Sequence, residues 1–272
     1  MADPVTDPAG DPVAIVTGAA RGIGAATAVR LAEDGWRLVL VDRAADDPTL
    51  TYPLASTAQL DEVAQRCGGP ERAAAVVADV RDQDALDAAV GLAVERFGGL
   101  DAAVAVAGAM HRGTVAWETT DDDWATMIGV NLEGVYRLAR AAVPAMLQRP
   151  EPRRGRFVAV SSAGGTFGLP GLAAYTAAKH GVEGFVRSLA AELGRTGITA
   201  NAVAPGSTSG AMLNASAAAY DLADPEHFAT HHLLHRLIDP DEIAAVLHWL
   251  CGPGSSAMTG AVVPADAGMT AG

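Results

Sequence analysis

Short apolar runs alternate with helical patterns along most of this chain. Each run stops at small or polar residues, and the segment after it repeats its apolar positions every three to four residues, as a helix does. Strands that are apolar throughout and alternate with helices are typical of a parallel sheet buried on both faces. The predicted strands are residues 13–16, 36–41, 73–78, 102–107, 156–160, 199–202 and 261–263.

This order of elements predicts an α/β fold, namely a Rossmann-type doubly wound parallel sheet in three layers, α/β/α. Ligands of such sheets bind outside the carboxyl ends of the strands. We therefore expect the residues that follow strand ends to share one edge of the sheet; they are Gly18, Asp42, Asp79, Gly108 and Ser162. The predicted helices are residues 24–34, 58–66, 83–97, 121–147, 174–195 and 240–251.

We expect a single domain over residues 12–272, preceded by a disordered tail at residues 1–11 that is rich in Asp and Pro. Two segments are longer than ordinary connections between strands and helices. One is an insert at 44–70, and the other is an Ala- and His-rich segment at 207–238. Long connections are usually lids or binding elements, and we interpret the second one as a substrate lid.

The composition is that of a globular protein, since 50% of the 272 residues are hydrophobic and 19% are charged. A formal net charge of -13, with no stripe of basic residues, argues against nucleic acid or an anionic membrane as a partner. The apolar stretches all fall short of the roughly 20 residues that a membrane span needs. Cys67 and Cys251 match no metal or redox spacing, so a reducing cytoplasm is the expected location.

Glycines at 18, 22 and 24 lie between the first predicted strand and the first predicted helix, with Arg21 and Ile23 among them. Glycine permits a tight turn and lets the backbone approach a pyrophosphate, whose charge then meets the N-terminus of the helix. The turn formed by Gly18, Gly22 and Gly24 therefore predicts a dinucleotide site.

Asp42 ends the second predicted strand, 18 residues after Gly24. A carboxylate at this place accepts hydrogen bonds from the ribose hydroxyls of adenosine and repels a 2′-phosphate. Arg21 and Arg43 could instead bind a 2′-phosphate. As mobile, solvated guanidiniums, however, they should attract it less strongly than the carboxylate repels it. The sequence thus predicts NAD rather than NADP. Asp79 is interpreted as the partner of the adenine amino group, or else as the cap of the next helix.

Tyr175 and Lys179 stand four residues apart in a predicted helix, and Ser162 lies thirteen residues before Tyr175, at the end of a strand. This spacing places a phenol and an ammonium on one helical face. A free phenol has a pKa of about 10, and a cation beside it favours the phenolate. The three residues therefore predict a proton-transfer site.

Further motifs occur in a fixed order along the chain: residues 17–24, Asp79-Val80, Asn131-Leu-Glu-Gly134, Ser162, Tyr175-x-x-x-Lys179, Asn201 and Pro205-Gly206. With this order and spacing, the chain resembles the short-chain dehydrogenase/reductase family over nearly its whole length. The resemblance implies a tyrosine-based hydride-transfer enzyme with a nicotinamide cofactor.

The resemblance also implies a role for individual residues. Tyr175 would exchange a proton with the substrate oxygen while hydride passes between the carbinol carbon and C4 of the nicotinamide. Lys179 would lower the phenol pKa and bind the nicotinamide ribose, Ser162 would hydrogen-bond the substrate oxygen, and Asn131 would hold a water in a proton relay. Further cofactor contacts would come from Val80, Ala107, Gly108, Pro205, Gly206 and Thr208.

Two positions depart from the family pattern. The Asn-Asn-Ala-Gly that usually follows the fourth strand is here Ala105-Val106-Ala107-Gly108, so apolar packing replaces the amides that would brace the central strands. The Thr often found near position 210 is here Gly210, which leaves Ser207 or Thr208 to meet the nicotinamide carboxamide.

The insert, with Asp42-Arg43 before it and Tyr52-Pro53 inside it, resembles the branch of the family described as mycofactocin-coupled. The chain from His231 to Pro264 is also similar to that branch. There an extra segment near the adenosine half covers a tightly held NAD, which another redox carrier must reoxidise. Burial of the cofactor slows its release because the insert has to open first. The alternative is a loop without this function and an NAD that exchanges freely.

Four histidines lie close together in the segment at 207–238, namely His227, His231, His232 and His235. His231 and His235 are one helical turn apart, a spacing at which two imidazoles can chelate a metal. However, no acidic or Cys partner completes the set, so we expect pocket lining or solvent exposure and no metal.

An apolar substrate pocket and an apolar subunit contact are also indicated. The Ala-rich stretches at 131–145 and 173–193 are apolar enough to pack against another subunit, and a homotetramer is the family-like expectation. The pocket suits a small hydrophobic alcohol or ketone. Its expected lining is Met110, Phe167, Leu169, Met212, Leu213 and Tyr220.

The sequence therefore predicts an NAD-dependent alcohol dehydrogenase or ketoreductase of the short-chain type. A conventional ketoreductase with exchangeable NADP(H) remains an alternative. A non-catalytic nucleotide-sensing or scaffolding protein is a second alternative. Ser162, Tyr175 and Lys179 argue against the scaffold, because a protein without catalysis has no physical need for all three.

Overall fold

The computed structural model describes residues 10–110, 114–220 and 222–271. Its strands are β1 (Val13–Thr17), β2 (Arg37–Asp42), β3 (Ala73–Val77), β4 (Ala102–Ala105), β5 (Arg156–Val160), β6 (Thr199–Pro205) and β7 (Val262–Ala265). All of them run parallel in one sheet of order β3-β2-β1-β4-β5-β6-β7. The predicted doubly wound sheet is confirmed.

Helices cover both faces of this sheet. The α-helices of the described residues are α1 (Gly22–Glu33), α2 (Thr57–Arg66), α3 (Gln83–Phe97), α4 (Asp121–Ile128), α5 (Gly134–Leu147), α6 (Ala173–Glu192), α7 (Ala211–Ala219) and α8 (Pro240–Cys251). Val13 and Ile15 of β1 pack with α3, α5 and α6, whereas Ala14 and Val16 pack with α1, α2 and α8. Alternate residues of a strand thus enter two separate cores, which is why the strands are apolar throughout.

The end of β4 differs from the prediction, which continued the strand to residue 107. The strand ends at Ala105 because the backbone N–H groups of Val106 and Ala107 donate to the hydroxyl of Thr17, at 3.2 and 3.3 Å. These donors therefore leave the strand ladder and turn the chain over the end of β1. Other predicted bounds shift by up to three residues: β6 runs three residues further, to Pro205, and α6 ends three residues earlier, at Glu192.

The long helix predicted at 121–147 is divided. A π-helical turn at Gly129–Glu133 separates α4 from α5, and Asn131 lies within it. Such turns insert one extra residue into a helix and occur frequently at functional sites. Here the wider turn places the Asn131 side chain against the loop that follows β4.

The strand order reverses between β1 and β4, whose following connections diverge to opposite faces of the sheet. A doubly wound sheet opens a crevice at this point, outside the carboxyl ends of the strands.

Residues 1–9 of the predicted tail lie outside the described residues, and Asp11 pairs with Arg37 at 3.3 Å. Within the described ranges, no helix has the length and apolar character to cross a membrane.

Candidate active site

A cavity of about 1150 Å³ lies at the carboxyl edge of the sheet. This volume exceeds the roughly 300–1,000 Å³ of pockets for a single drug-sized ligand, so a dinucleotide and a substrate can share it. The cavity is lined by every predicted catalytic and cofactor-binding residue: Gly18, Arg21, Gly22, Ile23, Gly24, Asp42, Arg43, Asp79, Val80, Ala107, Gly108, Asn131, Ser162, Tyr175, Lys179, Pro205, Gly206 and Thr208.

The glycine turn has no room for side chains at two of its three glycines. A Cβ on Gly18 would lie 2.8 Å from the backbone of Ala107, and a Cβ on Gly24 would lie 2.0 Å from the Gly18 carbonyl oxygen. Gly22 instead faces open space, with a φ of +57° that other residues rarely adopt. No side chain caps the N-terminus of α1 at Arg21, so its N–H groups are available to an anion. The turn therefore fits a pyrophosphate.

Asp42 is held rigidly at the adenosine end of the cavity. One carboxylate oxygen accepts from the backbone N–H of Ala20 at 3.1 Å, and the other accepts from that of Ala44 at 3.0 Å. Both bonds come from the main chain, so the carboxylate is oriented before any ligand arrives. This geometry fits the predicted contact with ribose hydroxyls.

The two arginines near this end are engaged, which corrects the expectation that they are mobile and solvated. Arg43 pairs with Asp47 and lies 3.6 Å from Asp79, and Arg21 donates to the carbonyl oxygen of Pro53 at 3.0 Å. Asp47 lies in the insert and is buried, so these contacts depend on how the insert folds back.

Asp79 does not cap the next helix, since Asp82 does so by accepting from the backbone N–H of Ala85 at 3.1 Å. The Asp79 carboxylate instead accepts from the backbone N–H and the guanidinium of Arg81. These bonds, together with Arg43, lower the pKa of Asp79 although burial acts to raise it. The contact of Asp79 with an adenine remains a prediction.

Tyr175, Ser162 and Lys179 meet at one wall of the cavity. Ser162 lies two residues after β5, and Tyr175 lies near the start of α6, which packs on the segment after Ser162. Lys179 is buried, donates to the carbonyl oxygen of Val160 at 2.9 Å, and places its Nζ 5.6 Å from the centre of the Tyr175 ring. The helical spacing thus brings the phenol and the ammonium together, as the sequence predicts.

The pKa of Tyr175 moves in the direction opposite to the prediction. Burial raises it above its ordinary value, and this effect outweighs the hydrogen bond with Ser162, which lowers it. Burial also lowers the pKa of Lys179 to about 8. Loss of water around both groups disfavours phenolate and ammonium alike, and the spacing of two residues along a chain does not reveal this burial.

Lys179 is the only lysine in the sequence; the other 18 of its 19 basic residues are arginines. Arginine is never deprotonated in proteins and carries a planar, forked group, whereas lysine has a compact ammonium whose pKa falls on burial. All the remaining Lys/Arg positions of this chain are arginine, and its one lysine is the cation that is buried beside Tyr175. The side chain at 179 thus has a chemical requirement that arginine does not meet.

The amide of Asn131 is fully buried and binds the loop after β4. Its oxygen accepts from the backbone N–H of Ala109 at 3.2 Å, and its nitrogen donates to the carbonyl oxygens of Ala109 and Met127 at 2.9 and 3.0 Å. Both amide hydrogens are therefore used within the protein. The structure brings Asn131 to the cavity wall, and its role in a water relay remains a prediction.

Sequence reasoning missed three residues of the site. Thr17 supplies the brace that the missing Asn-Asn pair would give, by accepting from the backbone at Val106 and Ala107. Asp47 and Tyr52 bring the insert into the cavity wall. Thr17 stands at the first position of the glycine turn and was recognisable there, whereas no local signal distinguishes Asp47 from its neighbour Asp46.

The predicted histidine cluster is divided among different tasks. His231 lines the cavity, whereas His232 is buried and holds the chain after β6. The Nε2 of His232 accepts from the backbone N–H of Ser207 at 3.0 Å, and its Nδ1 lies 2.6 Å from the carbonyl oxygen of Arg236. Among the described residues, no three His, Cys, Asp or Glu side chains are grouped as metal ligands.

The substrate side of the cavity is apolar. All six side chains predicted for it line the wall: Met110, Phe167, Leu169, Met212, Leu213 and Tyr220. The hydroxyl of Tyr220 donates to the carbonyl oxygen of Pro170 at 2.7 Å, which joins the end of α7 to the segment after Ser162. The segment at 207–238 thereby closes one side of the cavity.

Comparisons with known proteins agree with this site. The family model described as enoyl-(acyl carrier protein) reductase matches residues 18–270. An uncharacterised NAD-dependent oxidoreductase of Mycobacterium tuberculosis is 39% identical over 94% of this chain and 94% of its own. The (-)-trans-carveol dehydrogenase of Rhodococcus erythropolis is 36% identical over 95% of this chain and 97% of its own.

A crystal structure of carveol dehydrogenase from Mycobacterium avium in complex with NAD is also similar. It superposes with a TM-score of 0.90 at 35% identity and covers 97% of this chain and 99% of that chain. Similarity of this extent covers the glycine turn, the strand ends and the helix of Tyr175 together. The chain therefore belongs to the short-chain dehydrogenase/reductase family.

Proposed function

We propose that this protein is an NAD-dependent dehydrogenase of small hydrophobic alcohols, which also reduces the corresponding ketones. One observation carries the proposal: Tyr175, Ser162 and Lys179 meet in a cavity whose opposite end holds the open glycine turn and a fixed Asp42. Proton transfer and dinucleotide binding would thus share one cavity.

NAD, when bound, accepts or supplies the hydride. The glycine turn and the N-terminus of α1 would hold its pyrophosphate, and Asp42 would hold its adenosine ribose. Lys179 and the chain after β6 lie at the nicotinamide end. His232 fixes that chain through Ser207, where a Cβ on Gly206 would lie 2.9 Å from the imidazole.

The proton steps belong to the protein's own residues. In alcohol oxidation, the Oη of Tyr175 as phenolate takes the hydroxyl proton while the C–H bond on the same carbon loses hydride. In ketone reduction, the phenol returns that proton to the oxygen. Ser162 hydrogen-bonds the substrate oxygen and orients it toward Tyr175, and Lys179 stabilises the phenolate with its positive charge.

The substrate class follows from the apolar wall and from the relatives. Phe167, Leu169 and Met212 line the cavity near Ser162 and offer no charged partner for a polar substrate. Two of the similar proteins are carveol dehydrogenases. We therefore propose that cyclic secondary alcohols, with carveol first, are the substrates to test.

We further propose that NAD is retained and that a mycofactocin-type redox carrier reoxidises it. The insert supports this proposal because it contacts both sides of the cavity. Arg21 of the glycine turn donates to Pro53, and the hydroxyl of Tyr52 accepts from the backbone N–H of Met110 at 3.1 Å. A nucleotide beneath these contacts leaves only after they break.

The same proposal includes a homotetramer in the cytoplasm. Tyr136 of α5 is 46% exposed, and its ring packs edge-on against Phe185 of α6 at 6.1 Å, so an apolar surface joins the two helices. Cys67 and Cys251 are free and buried, as suits a reducing compartment. Sedimentation of the purified protein tests the tetramer.

The experiment for the proposed activity is the substitution Tyr175→Phe, assayed with NAD and a panel of cyclic alcohols. Loss of the proton acceptor should lower kcat by roughly 10²–10⁴-fold. Tyr136→Phe, which lies outside the cavity and keeps the ring at the proposed subunit contact, is the matched control and should keep activity. Turnover by Tyr175→Phe at the parent rate, with NAD still bound, would contradict the proposal.

A further inference from the structure

A buried carboxylate of the insert lies between two arginines at the adenosine end of the cavity. The Asp47 side chain is 4% exposed, and its Oδ2 contacts Nη1 of Arg43 and lies 2.8 Å from Nη2 of Arg81. Its Oδ1 accepts from the backbone N–H and the hydroxyl of Thr49, at 3.0 and 2.6 Å. Both oxygens are thus fully used, which compensates for the burial of the charge.

Asp47 does not hold these arginines alone. Asp79 lies 2.6 Å from Arg81 and 3.6 Å from Arg43, and Asp42 stands next to Arg43 in the chain. All five of these charged side chains line the cavity. Three carboxylates therefore face two guanidiniums, so this group of five side chains carries a net charge of about -1 at neutral pH, by the ordinary pKa values of these groups.

We propose that Asp47 is a cofactor-specificity residue, which acts as an internal anion in the place between Arg43 and Arg81 that a 2′-phosphate would need. The inference rests on the proposed NAD-dependent function. It assigns to the insert a second task besides covering the nucleotide, namely the exclusion of NADP.

Two neighbouring arginines that no carboxylate neutralises would form a binding site for a phosphate. Guanidiniums bind phosphates through pairs of parallel hydrogen bonds. Arg43 and Arg81 share one carboxylate oxygen, so their donors converge on a single point where an anion belongs. A phosphate monoester carries a charge of about -1.5 to -2 at pH 7, and here it would have to displace a buried carboxylate that is part of the chain.

Asp42 alone does not explain the exclusion. Its carboxylate is bound by the backbone N–H groups of Ala20 and Ala44 and makes no ion pair with Arg43 or Arg81 among the described contacts. Without Asp47, two guanidiniums held partly by Asp79 would remain beside the ribose. The repulsion from Asp42 and the attraction from the arginines would then oppose each other.

Asp47→Asn tests the inference, because asparagine keeps the shape and the bonds to Thr49 while it removes the charge. The ratio of NADP to NAD affinity should rise at least tenfold. Three readouts are compared: the NAD and NADP content of the protein as isolated, the thermal shift given by 2′,5′-ADP against 5′-AMP, and kcat/KM with each cofactor. The double variant D47N/R81M should lose most of the gain.

Thr49→Val is the matched control, since it removes one hydrogen bond to Asp47 and leaves its charge and both ion pairs in place. Its cofactor ratio should equal that of the parent. A folded Asp47→Asn whose ratio stays within twofold of the parent in all three readouts overturns the inference.

Arg43→Met and Arg81→Met in the parent chain provide a test that does not depend on the folding of Asp47→Asn. Neither should lower the NADP to NAD ratio by as much as tenfold, because the arginines are already neutralised and only the repulsion by the remaining carboxylates grows. A selective loss of NADP binding of tenfold or more in either variant also overturns the inference. Failure of the proposed function would be recognised separately, since the parent itself would then bind neither nucleotide or would prefer NADP.

Discussion

The hydroxyl oxygen of Tyr52 accepts a hydrogen bond from the backbone N–H of Met110 at 3.1 Å. Tyr52 belongs to the insert after β2, and Met110 belongs to the connection after β4. These strands are separated by β1 in the sheet, so the insert reaches across the carboxyl end of β1, where the glycine turn lies. The contact therefore closes the cavity above the expected path of the cofactor.

Tyr52→Phe should accelerate the release of NAD. The substitution removes the acceptor for the Met110 N–H and keeps the ring, so the loss is that of one hydrogen bond, about 1 kcal/mol or roughly fivefold in the dissociation rate. The measurement is the NAD content of the purified protein during dilution and dialysis. Tyr220→Phe, which loses a bond to Pro170 on the substrate side, is the control and should keep its NAD. Identical retention in parent and both variants would contradict the expectation.

Alcohol oxidation should become faster as pH rises through neutrality to about 8, where Lys179 begins to lose the charge that stabilises the phenolate. Oxidation needs the phenolate of Tyr175, and burial raises the pKa of this phenol. Below that pKa the phenolate fraction increases about tenfold per pH unit, so log kcat/KM should rise with a slope near one. Ketone reduction uses the phenol and should stay flat over the same range. A flat oxidation profile under conditions where chemistry limits the rate would exclude Tyr175 as the base.

The pKa of Lys179 should be measurable directly. Because it is the only lysine, growth on lysine labelled with ¹³C at Cε and ¹⁵N at Nζ places a single amine probe in the chain. Its shift should titrate with a pKa of about 8, because burial lowers the value. A titration near the ordinary value of 10.5 would show that water reaches the ammonium.

Lys179→Met should stabilise the protein while it removes activity. The pKa of Lys179 is lower in the folded than in the unfolded state, so the burial cost is complete below about pH 8 and disappears as pH rises toward 10.5. Stability of the parent should therefore increase across this window. At pH 7 the variant should gain about 1–2 kcal/mol, after allowance for the lost bond to Val160. Urea unfolding at pH 7 and pH 10, at matched nucleotide content, measures the difference, which should shrink at the higher pH.

Thr17→Val should lower the free energy of unfolding by an unusually large amount for a substitution that keeps the shape of the side chain. It leaves the partly buried N–H groups of Val106 and Ala107 without this acceptor, at a cost of about 1–3 kcal/mol. Thr27→Val is the matched control, because the hydroxyl of Thr27 donates to the Ile23 carbonyl within α1, and its loss should cost about 0.5 kcal/mol. Equal effects of the two substitutions on urea unfolding would show that Thr17 does not brace β4.

Local chemistry explains why much of this protein was readable from its sequence. Apolar runs between helical patterns determine the order of strands and helices, since periodicity acts within a few residues. The glycine turn and the spacing of Tyr175 and Lys179 are equally local, because one turn of helix brings the phenol and the ammonium to one face. These features sufficed for the sheet, its ligand-binding edge and the family.

Tertiary structure alone decided the contacts between distant residues. Asp47 meets Arg81 across 34 positions, and Tyr52 meets Met110 across 58, so no local pattern distinguishes these side chains from their neighbours. The direction of the Tyr175 pKa also depends on burial, which is a property of the whole fold. The sequence thus determined which groups can carry the chemistry. Packing determined how they are charged, since it pairs Arg43, which the sequence predicts to be solvated, with the buried Asp47.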